Sequence, residues 1–194
     1  MFLAWKAPGV FALEGLDGVG KTTAGEILAD QTGGVYLYCM DRNKMRPYRK
    51  MFDTAPVALR FLYYLTVAFN TYKEAERLRQ SGNVFVDRAI ASTIAYHKAF
   101  GLEESWLHLV PDCILDQIDT MILLTVNEGE REKRLGNRSE SFGNMTFSDL
   151  ASFDVAQSID REYRLLCPEK TIIVCTDNKS PQSVVNEIRR EINL

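Results

Sequence analysis

Val10-Phe11-Ala12-Leu13-Glu14-Gly15-Leu16-Asp17-Gly18-Val19-Gly20-Lys21-Thr22-Thr23 is the stretch on which the reading of this chain turns. Val10 to Glu14 is an apolar run of β-formers that ends at Gly15, and from Thr22 to Ala29 the pattern becomes helical through Ile27 and Leu28. Between strand and helix, Gly15 to Thr22 satisfies G-x-x-x-x-G-K-[ST], the phosphate-binding loop. Such a loop wraps so that successive backbone N–H groups point at phosphate oxygens, and the helix N-terminus adds partial positive charge. In that arrangement Gly15, Asp17, Gly18, Gly20, Lys21, Thr22 and Thr23 are the candidate nucleotide-binding residues. Lys21 reaches the β and γ phosphates and the Thr22 hydroxyl ligates Mg²⁺, so ATP and Mg²⁺ are the expected cofactors.

Working outward, Val35 to Met40 reads as a second strand after the Gly33-Gly34 turn, and Val57 to Gln80 as a long helix closed by Ser81-Gly82. Val84 to Asp87 is a third strand, followed by a helix over Ser92 to Phe100 and another over Leu102 to Leu109, before Pro111. Asp119 to Val126 is a buried fourth strand. A helix over Glu130 to Leu135 then leads into Gly136 to Asn144, whose Gly, Asn and Ser content predicts a mobile loop. Ala151 to Cys167 is helical by period, Thr171 to Cys175 is a fifth strand, and Ser183 to Ile192 is the closing helix. Strands alternating with helices predict one α/β domain over residues 1–194, with a five-stranded, mostly parallel sheet between helical layers and a short lid loop at about 130–144.

The composition fits a single globular domain: 194 residues, 46% hydrophobic and 25% charged. With 23 Lys+Arg against 26 Asp+Glu the net charge is −3, so no global field draws the chain to nucleic acid or to an anionic membrane. Cys39, Cys113, Cys167 and Cys175 lack metal-ligand spacing and read as small hydrophobes in a reduced, cytoplasmic chain. The longest apolar stretch, Val57 to Phe69, is interrupted by Arg60 and is shorter than the roughly 20 residues a bilayer span needs. The first residues lack the pattern of a secretory leader.

A phosphate-binding loop alone does not separate a kinase from a switch GTPase or a motor ATPase. Asp177-Asn178-Lys179-Ser180-Pro181 imitates the start of a guanine-reading N-K-x-D motif but puts Pro181 where the carboxylate belongs, so no acceptor is left for the guanine edge. Arg42 and Arg88 each follow a predicted strand end, where open α/β sheets bind ligands, and fixed cations offset the repulsion between two phosphorylated substrates.

Together, Glu14 to Thr23 and Asp87-Arg88-x-x-x-Ser92 resemble the thymidylate kinase family of nucleoside monophosphate kinases, from about Val10 to Ile192. The resemblance implies the P-loop kinase fold and phosphorylation of dTMP to dTDP. It also implies roles. Asp17 lies near the acceptor sugar, Arg42 and Arg88 on the acceptor phosphate, Ser92 at the acceptor site, and Asp87 by the metal and the transferring phosphoryl. Tyr64 falls near the position whose ring stacks on the acceptor base. Members without an arginine after the P-loop acid supply one from the lid, and here Gly18 follows Asp17, which makes Arg131, Arg134 and Arg138 the lid candidates. Arg134 and Arg138, with Lys21, Asp87 and Arg88, complete the expected catalytic set. Many members are homodimers through helices flanking the acceptor site.

Three departures bear on the base. The thymine-reading arginine of the family falls at Ala68, the aromatic residue after Asp-Arg is Ala89, and the proline loop after the second strand is Asp41-Arg42-Asn43-Lys44. Arg60 or Asn70 on the same helix could replace the missing donor. Two other readings stay open at this point: a deoxynucleoside kinase in which Asp41 deprotonates a sugar hydroxyl, and a non-catalytic ATP-binding switch.

Overall fold

The computed structural model describes residues 8–39, 46–115, 118–142, 153–167 and 170–194. Five strands form one sheet: β1 (Val10–Glu14), β2 (Val35–Tyr38), β3 (Val84–Asp87), β4 (Thr120–Thr125) and β5 (Thr171–Cys175). Their order is β2-β3-β1-β4-β5 and every pairing is parallel. The "mostly parallel" expectation thus resolves to a fully parallel sheet.

Period-two alternation assigns each strand residue to a face. Phe11, Leu13, Phe85, Ile122 and Leu124 point to α1 (Lys21–Thr32) and α8 (Pro181–Ile192), meeting Leu28, Val185 and Ile188. Met121 and Leu123 point the other way, onto Ala95 of α4 (Ile90–Ala99) and Ile159 and Tyr163 of α7 (Phe153–Leu165). On that same face Val84 and Val86 pack against Ala75 of α3 (Val57–Arg79). Burial on both faces is why β1 and β4 read as near-continuous apolar runs.

Some predicted elements change. Glu104–Leu109 is a short 3₁₀ segment with no buried residue, not an α-helix, and a four-residue α5 (Asp112–Leu115) follows it. A 3₁₀ turn at Arg46–Tyr48 runs into a short α2 (Arg49–Asp53), which the sequence pattern does not announce.

The larger correction concerns the lid. Residues 136–142, expected as loop, continue α6 (Glu128–Phe142). The Asn127 side chain accepts from Glu130 N–H at 2.9 Å and caps the helix start, and Arg131 to Glu128 and Arg134 to Glu130 pair at 2.5 and 3.0 Å along its surface. These local bonds start the helix, and the Arg134 bonds to Thr176 anchor it, so that it runs on through Gly136 despite the roughly 1 kcal/mol that glycine costs a helix interior. The remainder of the lid, 143–152, lies outside the described residues.

β1 lies between β3 and β4; the chain leaves β1 for β2 on one side and leaves β3 for β4 on the other, so the carboxyl ends of β1 and β3 open at the topological switch point. The register sets Leu13 beside Asp87, which brings the loop after β1 and the Asp87-Arg88 pair to the same edge.

Candidate active site

The loop from Gly15 to Gly20 leaves β1 with Gly15 at φ 128°, and a Cβ there would lie 2.3 Å from the Leu124 carbonyl oxygen, so only glycine fits. Lys21 opens α1 with its side chain buried in the loop, Nζ donating to the carbonyls of Gly15 at 3.1 Å and Leu16 at 2.7 Å. Burial and the nearby Arg88 charge push its pKa down to about 8, against the pull of Asp17, Asp87 and Glu14. A cation with so little water is an efficient partner for phosphate oxygens.

Thr22 donates its hydroxyl to Asp87 Oδ2 at 2.6 Å, and the Tyr36 hydroxyl from β2 donates to the same oxygen at 2.7 Å. Asp87 is 2% exposed.

Arg88 adopts φ 68°, a left-handed conformation that costs a non-glycine residue about 1–2 kcal/mol. Its guanidinium is held from several sides: it pairs with Asp17 and donates to Gly15 O at 3.3 Å, Ser92 Oγ at 3.1 Å and the hydroxyls of Tyr163 and Tyr96 at 3.3 and 3.2 Å. Burial, the largest single influence, works against its charge, but the surrounding groups, Asp17 first and then Tyr96, Tyr163 and Asp87, together outweigh it and hold the pKa raised. Behind it Glu14 is fully buried, accepting from Ala89 N–H at 2.8 Å, from Ser92 N–H at 3.2 Å and from the Ser92 hydroxyl. Burial raises the Glu14 pKa, and those hydrogen bonds oppose the rise. Tyr163, from α7, donates to Glu14 at 3.3 Å and lies 2.7 Å from Ser92 Oγ, tying the helix after the lid to the loop floor.

The structure therefore brings Asp17, Lys21, Thr22, Asp87, Arg88 and Ser92 into one constellation. Arg134 reaches its far side, donating to Thr176 Oγ1 and O at 3.0 Å and to Gly18 O at 3.5 Å. Arg131 is 4% exposed, and its stem packs beside Gly18. Arg138 belongs to α6, but its side chain lies outside the described residues, as do Asp41 and Arg42 altogether.

On the acceptor side of the sheet, the Tyr64 hydroxyl donates to Asp53 at 2.7 Å, Arg49 pairs with Asp53 at 3.1 Å, and the Tyr64 ring sits 5.5 Å from the His97 ring. Ala68 is buried among Phe61, Ile90, Ile94 and Ile114, next to a cavity of about 20 Å³, far too small for a base. Asn70 is exposed, its amide turned back onto Thr66 O. Arg60, by contrast, is 7% exposed, with its guanidinium 4.9 Å over the Phe100 ring and near the Asp53 carbonyl.

His97 was not a sequence candidate. Its Nδ1 donates to Thr93 O at 2.6 Å, its Nε2 is buried without a hydrogen-bond partner, and burial pushes its pKa down to about 4. Between pH 6.5 and 4 the unfolded chain binds this proton and the folded one does not, so stability falls as pH falls through that window. The loss is about 3 kcal/mol at full effect. Urea titrations of the parent and of His97→Gln across pH 7 to 4 check it. The parent's midpoint should fall more steeply, and equal slopes would remove His97 as the cause.

Tyr36, Tyr96 and Tyr163 escape a motif search because each bonds a partner far along the chain, Asp87, Asp17 and Glu14, and His97 escapes it because only burial gives it meaning. Arg60 did leave a sequence signal, a charge inside an apolar run, and burial gives that signal its meaning.

The family model described as Thymidylate kinase matches residues 13–188. This chain belongs to the thymidylate kinase family. Similar proteins carrying the name "Probable thymidylate kinase" come from Methanococcus aeolicus, 27% identical over 92% of this chain and 93% of that one. Another, from Methanococcus vannielii, is 26% identical over 90% of each. Among solved structures, a thymidylate kinase from Candida albicans superposes with TM-score 0.76 at 18% identity, covering 96% of this chain and 92% of that one. A deoxyadenosine kinase from M. mycoides with bound dATP superposes at 0.70 and 16% identity over 95% and 100%. The fold is thus shared by kinases of nucleosides and of nucleotides, and the family assignment comes from the sequence model. Among the described residues, no helix is long and apolar enough to cross a membrane.

Proposed function

We propose that this thymidylate kinase family member carries out its ATP-dependent phosphorylation of dTMP with the following division of labour. Lys21 and the backbone of Gly15 to Thr22 hold the donor phosphates, and Arg88, oriented by Asp17 and Ser92, holds the acceptor phosphate together with Arg42. The observation that carries this reading is the meeting of Arg88 with Asp17 and the Gly15 carbonyl, which sets an acceptor-binding cation against the donor loop.

Thr22 and Asp87 suit Mg²⁺. Thr22 spends its hydroxyl hydrogen on Asp87, which leaves oxygen lone pairs for a hard cation that takes one or two protein oxygens plus substrate phosphates. Thr22 and Asp87 would hold the ion there, and its positive charge would offset the charge of the donor phosphates. Arg131, Arg134 and Arg138 lie on the helix that borders the donor loop and supply the remaining cations on the transferring phosphoryl as the lid closes.

For the base, Tyr64 provides the stacking ring and Arg60 the edge donor that Ala68 cannot. Arg60→Met is expected to lower kcat/KM for dTMP at least tenfold, to narrow the gap between dTMP and dCMP, and to leave the KM for ATP unchanged. An unchanged ratio would leave discrimination to apolar contact with the thymine methyl, worth about 1–3 kcal/mol. The wider reading is tested with ATP, Mg²⁺ and a panel of nucleosides and monophosphates, read as ADP formed. Release with dTMP and not with thymidine supports it, release with thymidine points to a nucleoside kinase, and acceptor-independent turnover points to a switch.

A cytoplasmic location and a homodimer through the helices flanking the acceptor site belong to the same proposal. All four cysteines are free thiols, and Met51 and Leu59 are exposed on those helices. Sedimentation tests the dimer.

A further inference from the structure

The carboxylate of Asp87 is fixed by two hydroxyls, and only one of them belongs to the phosphate-binding loop. Thr22 comes from α1, while Tyr36 comes from the second strand, paired in register with Phe85, and reaches past the end of β3 to give Asp87 Oδ2 a 2.7 Å bond. A carboxylate that accepts two directed bonds on one oxygen has its plane set, so the direction in which it faces a metal or a metal-bound water is set too.

The ring that carries this hydroxyl has had room made for it. Gly25 lies inside α1, where glycine costs about 1 kcal/mol relative to alanine. A Cβ at Gly25 would fall 2.8 Å from both Cδ2 and Cε2 of Tyr36 and 3.2 Å from a Leu13 methyl. The helix therefore carries an unfavourable residue at the point where the Tyr36 ring crosses it.

We propose that Tyr36 is a positioning residue for the metal site, acting through Asp87 to orient the carboxylate toward the Mg²⁺ that accompanies the donor nucleotide, and that Gly25 is glycine to admit its ring. The inference rests on the proposed metal role of Thr22 and Asp87. Partners of this kind typically contribute 10–100-fold to metal affinity or activity (about tenfold is expected for this single bond).

Tyr36→Phe keeps the ring and removes the hydroxyl. Calorimetric titration with ADP, in EDTA and then at a series of Mg²⁺ concentrations, should show unchanged metal-free affinity and about a tenfold higher Mg²⁺ concentration for the half-maximal gain. In the steady state the same variant should need more Mg²⁺, with kcat at saturating Mg²⁺ within about twofold of the parent. Gly25→Ala, which displaces the ring but keeps the hydroxyl, should shift the Mg²⁺ requirement in the same direction. A lowered Tm with an unchanged Mg²⁺ requirement in Tyr36→Phe would mean that the bond is only structural and would overturn the proposal. Parental ADP affinity that ignores Mg²⁺ would instead overturn the metal reading of Thr22 and Asp87, and the proposal with it.

Discussion

Replacing Lys21 by alanine is expected to leave a folded protein in which phosphoryl transfer is at least a hundredfold slower, about 2.7 kcal/mol of barrier. The side chain is buried against the carbonyls of Gly15 and Leu16, not among the apolar side chains that hold α1 to the sheet, which are Leu28, Ala24 and Ala29. Its removal takes away a cation already held at a cost in solvation, as the pKa lowered to about 8 shows, so the thermal midpoint should change little. What is lost is charge stabilisation in a site with little water, where one well-placed donor contributes about 10²–10³ in rate. Circular dichroism with ADP-release kinetics checks both halves. Near-parental turnover in a folded Lys21→Ala would overturn the assignment of the loop.

Arg88→Ala should show the opposite profile, with fold and activity falling together. The guanidinium is partly buried against Asp17 and donates to Gly15, Ser92, Tyr96 and Tyr163, so its loss removes the donor these groups share. Breaking one side of a fully buried ion pair costs about 3–5 kcal/mol; with the two side chains 18% and 14% exposed, the loss lies at the low end, about 3 kcal/mol or roughly 10 °C in Tm for a chain of this size. Alanine also inherits the left-handed backbone at φ 68° without the bonds that offset it. Arg88→Lys separates the two roles. It keeps the charge, and with it most of the stability, but loses the planar fork, so kcat/KM for dTMP should still fall about tenfold or more while the KM for ATP holds. An Arg88→Lys enzyme with parental use of dTMP would remove Arg88 from the acceptor phosphate.

What the sequence determined by itself was local or periodic. Gly15 to Thr22 declares a phosphate loop because backbone conformation, helix start and lysine are all specified within eight neighbouring positions. The five strands are legible because a parallel sheet covered on both faces needs continuous apolar runs, and Val10–Glu14 and Thr120–Thr125 have them. Asp87 closes β3 and Arg88 follows it; the family motif singled out the pair, and the convergence of strand ends on ligand sites in such sheets supported Arg88.

Tertiary structure decided matters that depend on partners distant in sequence. The extension of α6 over 136–142 ran against local composition, and tertiary contacts such as Arg134 on Thr176 anchor the helix beside the loop. That Ala68 packs into the core, that Asn70 turns to solvent and that Arg60 is buried could not follow from helical spacing, because a helix face acquires meaning only from what packs on it. Tyr36 and Asp87 are separated by 51 positions and Glu14 and Tyr163 by 149, yet each pair shares a hydrogen bond. No local pattern encodes such a pairing, because it exists only once the parallel register has aligned β2, β3 and β1 and α7 has packed on β4 with Tyr163 reaching the end of β1.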